Sequence, residues 1–65
     1  MYETVKKLCK EKGIPIYELE KRAGLGNGTI RFWKNSSPRL ESLESVADVL
    51  GIKVTTLINK SKEKD

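Results

Sequence analysis

Apolar residues recur at three- and four-residue intervals in five successive stretches of this chain, with lysines and glutamates between them. In "ETVKKLCKEK", residues 3–12, Val5, Leu8 and Cys9 fall on one helical face, and Gly13 ends the pattern. Pro15 suits the first turn of a second helix, in which Ile16, Leu19 and Ala23 recur at i, i+3 and i+7 before Gly24. "TIRFWK" offers Ile30 and Trp33 at i, i+3, and "NSSPR" has loop composition. Leu40, Leu43, Val46, Ala47 and Leu50 then form a strong stripe closed by Gly51. Val54, Leu57 and Ile58 start a last helix ahead of a charged tail, about 60–65, that is expected to fray. The pattern predicts an all-α fold, a compact bundle of five short helices in one domain over residues 1–65.

The stretch "AGLGNGTIRFW" places Gly24, Gly26 and Gly28 within five positions. Three structures crowd glycines in this way. A nucleotide-binding loop needs a strand before the glycines, and "YELEKRA" has helical periodicity instead. A hairpin around Asn27-Gly28 needs alternating strands on both sides, which "KRAGLG" does not supply. A helix-turn-helix needs a glycine at the end of its first helix and a short turn into its second. With Gly24 ending one helix, Leu25 plugging the core and Gly26 at the N-cap of the next, every apolar residue of the pair turns inward. The third structure fits.

Composition narrows the chemistry. With 65 residues the chain buries only about 60% of its unfolded surface, so its core must be compact. One cysteine excludes an internal disulfide, and the absence of histidine removes the usual zinc ligands and the commonest general base. Cys9 lies on an apolar helical face, and Glu18 and Glu20 point to different sides of their helix. No catalytic residue, metal site or cofactor is expected. No apolar run approaches the roughly 20 residues that span a bilayer, so a cytoplasmic protein without a membrane partner is expected.

The formal net charge is +4, and its distribution says more. Between Glu20 and Glu41 there is no acidic residue, while Lys21, Arg22, Arg31, Lys34 and Arg39 fall in that window. The next segment carries Glu41, Glu44 and Asp48. A positive window that coincides with the glycine-rich stretch points to an anionic partner.

Two blocks make a more specific resemblance. "GIPIYELEKRAGLGNGTIRFWKN" followed by "SPRLESLESVADVLGIKVTTLI" resembles the Cro/phage-repressor (Xre-type) helix-turn-helix family over nearly the whole chain, roughly Val5 to Ile58. The first block carries Leu-x-x-x-Ala-Gly-Leu with Ile30 downstream, and the second Leu-x-x-Leu-x-x-Val-Ala-x-x-Leu-Gly-Ile. The resemblance implies a lambda-repressor-like domain and a sequence-specific regulator of transcription, a repressor of prophage type, on double-stranded DNA. Its third helix, here about 27–34, would lie in the major groove.

On that pose the base-contacting residues are Asn27, Gly28, Thr29, Arg31 and Phe32. Asn27 would pair with adenine, Arg31 with guanine or a flanking phosphate, and Phe32 would cover a thymine methyl. Gly28 would give clearance for close approach. Lys34, Asn35, Ser36, Ser37 and Arg39, with the helix amides near Gly28, would hold phosphates. Trp33 is expected in the core.

The chain departs from the family at several positions. Ile16 stands where a phosphate-binding glutamine is common. Glu20 stands where a small residue is common, and must turn outward or find a cation such as Lys21 or Arg22. The family's pairing of a basic residue in the first helix with an acidic one at the end of the third is absent, since Cys9 and Lys34 occupy those positions. An alternative role therefore stays open, an antirepressor or antitoxin-type module of the same fold that binds a protein partner, for which an exposed Phe32 would serve. A homodimer would use the last helix, through Val54, Leu57 and Ile58.

Overall fold

Every apolar stripe in the sequence meets at one place, because α1 (Tyr2–Lys12) packs against all the other elements. The structure, a computed structural model, describes residues 1–64, with side chains through Lys62. After α1 come α2 (Ile16–Arg22), a 3-10 helix (Ile30–Lys34), α3 (Leu40–Leu50) and α4 (Val54–Lys64). Val5, Leu8 and Cys9 of α1 lie under Leu19 of α2, Ile30 and Trp33 of the 3-10 helix, Leu43, Val46, Ala47 and Leu50 of α3, and Leu57 of α4. Burial of these stripes, not helix propensity alone, holds such short helices together.

The turn out of α2 forms as its glycine requires. Gly24 has φ of 73°, a left-handed conformation in which a side chain would be strained. Its N–H donates to the Lys21 carbonyl (3.2 Å), and the Leu25 N–H donates to the Glu20 carbonyl (2.8 Å). These two bonds satisfy carbonyls that the end of α2 leaves open. They also send the chain back over the core, where Leu25 is half-buried.

Among the described residues, four α-helices and one 3-10 helix stand where five short helices are expected, and no α-helix spans 27–34. The cause is Gly28, whose φ of 83° lies outside the right-handed helical region. Residues 26–29 instead form a turn closed by the Thr29 N–H on the Gly26 carbonyl (3.1 Å). A glycine with positive φ at the third position is the signature of a type II turn. Helical geometry starts only at Thr29, so Gly26 is not the N-cap. The bonds that follow span three residues: Phe32 N–H to the Thr29 carbonyl (3.1 Å) and Asn35 N–H to that of Phe32 (3.2 Å).

At the other end α4 continues to Lys64, so the segment expected to fray is helical over 60–64, and Asp65 lies outside the described residues. Lysine and glutamate are good helix formers, and Ser61 is still half-buried.

Candidate nucleic-acid interface

The 3-10 helix has two sides of opposite character. Ile30 is fully buried and Trp33 nearly so, one i, i+3 row facing the core. Arg31, Phe32 and Lys34 face solvent, with Phe32 73% exposed. Asn27 and Gly28 in the preceding turn are exposed, and so are Asn35, Ser36, Ser37 and Arg39 beyond it. Thr29 is half-buried; a Cβ placed on Gly26 would lie 3.4 Å from its Oγ1, so the hydroxyl stays close to the turn.

The polar residues fall into two groups. Lys34, Asn35, Ser36 and Ser37 line a cleft of about 500 Å³ that reaches across to Ser61 and Lys62 of α4. The Ser36 hydroxyl donates to the Phe32 carbonyl (2.9 Å), which closes the C-terminal end of the 3-10 helix. Arg31 and Gly28 line a smaller notch of about 200 Å³ with Tyr2, Ile16 and Glu20. Arg39 lines neither.

Glu20 corrects two expectations. It does not turn outward or pair with Lys21 or Arg22; it is 96% buried, and Arg22 pairs with Glu18 instead (2.9 Å). Its two carboxylate oxygens accept separate backbone bonds, Oε1 from the Gly28 N–H (3.2 Å) and Oε2 from the Ile30 N–H (2.9 Å). A buried carboxylate is tolerable when donors of this kind satisfy it. Those amides are therefore taken, and they are not open to a DNA phosphate. Gly28 is likewise held by the turn and by this bond, and its positive φ calls for glycine on structural grounds of its own.

The inward turn of Glu20 also changes the surface. No acidic side chain is exposed between residues 21 and 40, where Lys21, Arg22, Arg31, Lys34 and Arg39 are all exposed. Lys34 extends over the ring of Tyr2, with Nζ 4.8 Å from the centroid. Cys9 is only 2% exposed, and burial pushes its thiol pKa up, which leaves it a poor nucleophile. Among the described residues no cluster of His, Cys, Asp and Glu could hold a metal ion. No helix among them is long and apolar enough to cross a membrane.

The profile of the Cro/C1-type HTH DNA-binding domain matches residues 4–63. The chain belongs to the Cro/C1-type helix-turn-helix family. Cro/C1-type domains are DNA-binding modules of regulatory, non-enzymatic proteins. No curated protein and no solved structure matches the chain.

Sequence reasoning missed two residues at this edge, Glu20 and Tyr2. Glu20 had left a signal, since Ile16, Leu19, Glu20 and Ala23 together complete an i, i+3, i+4, i+7 stripe. A carboxylate on the inner face of a helix must find donors. Tyr2 left none, because its partner is 32 residues away in sequence.

Proposed function

We propose that this Cro/C1-type domain is a sequence-specific transcriptional regulator, a repressor, that lays residues 27–34 in the major groove of duplex DNA. The observation that carries this is the one-sided 3-10 helix. Its inner row faces the core, and its outer side offers Arg31 and Phe32, with Asn27 in the turn ahead, in a window of residues 21–40 that holds no exposed acid. In this pose Asn27 reads adenine, Arg31 reads guanine or a flanking phosphate, and Phe32 covers a thymine methyl. Thr29 supports the turn beside the groove floor. Lys34, Asn35, Ser36, Ser37 and Arg39 hold phosphates through side chains, and the Gly28 and Ile30 amides take no part. A small domain with one such edge represses by occupying its site in the cytoplasm.

Selection of bound sites from a random duplex pool at two salt concentrations tests the proposal. If four of the five exposed cations Lys21, Arg22, Arg31, Lys34 and Arg39 neutralise phosphates, log affinity falls against log salt with a slope of roughly −4 per protomer. Recovery of a consensus with that slope supports it, and no retention of any duplex refutes it. The same experiment reads out half-site spacing, and with it dimeric binding. A dimer contact through α4 has little apolar surface to use, since Leu57 is fully buried and Val54 and Ile58 pack against the core.

Phe32 favours a second reading. An aromatic ring that is 73% exposed on this edge offers an apolar contact that suits a protein partner, as in an antirepressor or antitoxin-type module. A partner that stays bound through Phe32 at high salt, and is lost on Phe32→Ala, distinguishes this reading from the first.

A further inference from the structure

We propose that Glu20 is a specificity-determining residue, one that never touches DNA but sets how Asn27 and Arg31 are presented to the bases. The proposal rests on the reading of residues 27–34 as the DNA-facing edge. The two amides that Glu20 holds, at Gly28 and Ile30, both lie between Asn27 and Arg31.

The core fixes this segment only from Ile30 onward, through the buried side chains of Ile30 and Trp33. Ahead of Ile30 the chain is an exposed turn with one closing backbone bond, Thr29 N–H to the Gly26 carbonyl. Within that turn Gly28 has no side chain to restrict its rotation. The direction in which Asn27 leaves the surface therefore depends on what restrains Gly28. Beside the closing bond of the turn, that restraint is the Oε1 bond, while the Oε2 bond to Ile30 holds the first residue of the 3-10 helix. Two oxygens on two amides fix both position and rotation, which a single acceptor cannot do.

The carboxylate is itself well anchored. Leu19, its neighbour on α2, is fully buried, and Glu20 lies on the same inner stripe as Ile16 and Ala23. Glu20 thus couples the orientation of α2 to that of the reading edge across the turn. A residue that served only to cap the 3-10 helix would affect stability and leave base preference unchanged. A positioning residue alters the preference of the folded protein.

The test compares the wild type with Glu20→Gln and Glu20→Ala. Glutamine keeps the size and one acceptor, but sets an NH2 group against the second amide. For each protein the affinity is measured for the duplex selected by the wild type and for a scrambled duplex, alongside urea denaturation. We expect affinity for the selected duplex to fall about tenfold or more in Glu20→Gln, the worth of one misplaced base-reading pair. Affinity for the scrambled duplex should stay within about threefold, with an unchanged salt slope, because the phosphate contacts remain.

A folded Glu20→Gln with the wild-type ratio of selected to scrambled affinity overturns the proposal and leaves DNA reading by 27–34 intact. A wild type that binds no duplex overturns both. Should neither variant fold, amide exchange in the wild type decides. Gly28 and Ile30 N–H groups that exchange as slowly as those of α2 support the restraint, and free exchange at both removes its basis.

Discussion

The ammonium of Lys34, at the end of the 3-10 helix, lies 4.8 Å above the ring of Tyr2, at the start of α1. This contact joins the two elements that the family commonly ties with a charged pair, for which Cys9 and Lys34 left no acidic partner. A cation over an aromatic face contributes about 0.5–1 kcal/mol at an exposed site. Tyr2→Ala should lower unfolding stability in urea by about 1 kcal/mol, lost packing included, while Tyr2→Phe should stay within about half of that. Equal losses in the two variants would show that the ring face is not what holds Lys34.

Gly28 and Gly26 should respond differently to alanine. At Gly28 an added Cβ meets nothing within 4 Å, yet φ is 83°, so the cost comes from the backbone alone. We expect Gly28→Ala to lose about 1–2 kcal/mol of stability even without DNA. Gly26→Ala, with only an ordinary contact to Thr29 Oγ1 at 3.4 Å, should lose less. Thermal unfolding of both checks this, and an unaffected Gly28→Ala would contradict a structural need for glycine there.

Arg31 and Asn27 separate affinity from preference. Arg31 is exposed and makes no ion pair among the described residues, so Arg31→Ala should leave the melting temperature unchanged and weaken DNA binding. If it reads a base, the loss on the selected duplex is about 1–3 kcal/mol; if it holds a phosphate, the salt slope becomes shallower by about 1. Asn27→Ala should relax preference at one position more than it lowers affinity for scrambled duplex. Proportional loss on both duplexes would exclude Asn27 as a base reader.

Cys9 gives the fold an alkaline limit. Burial raises its pKa above the ordinary 9.0, so the unfolded chain loses the thiol proton first as pH rises. Its contribution to stability is complete below pH 9.0 and is lost as pH rises from there through the folded value. The difference in unfolding free energy between wild type and Cys9→Ala should therefore be flat up to about pH 8.5 and shrink above it. A difference independent of pH up to 10.5, or one that grows, would contradict the burial argument.

The helical stripes of α1, α2, α3 and α4 were legible because each buries a face set by local spacing, and Gly13, Gly24 and Gly51 marked three of the ends. The inward turn of Ile30 and Trp33 and the exposure of Phe32 followed from the same spacing. The form of the third element was not legible. Whether a Gly-Asn-Gly run continues a helix or turns depends on one φ angle, and the acceptor that settles it comes from Glu20, eight residues upstream of Gly28. The Tyr2–Lys34 contact was hidden for the same reason: pattern reads neighbours along a chain, and these groups become neighbours only on folding.

A 3-10 helix rises about 2.0 Å per residue and repeats every three, so its side chains leave in straight files where those of an α-helix spiral. Arg31 and Lys34 form one exposed file, with teeth about 6 Å apart, and Ile30 and Trp33 form the buried one. In the proposed pose, with successive bases on one strand about 3.4 Å apart, the exposed file advances by nearly two bases per tooth. The edge is built like a comb of fixed pitch. In the proposed pose, exchanging Arg31 or Phe32 should rewrite one position of the site without altering its neighbours, since of this helix only the row of Ile30 and Trp33 is committed to the core.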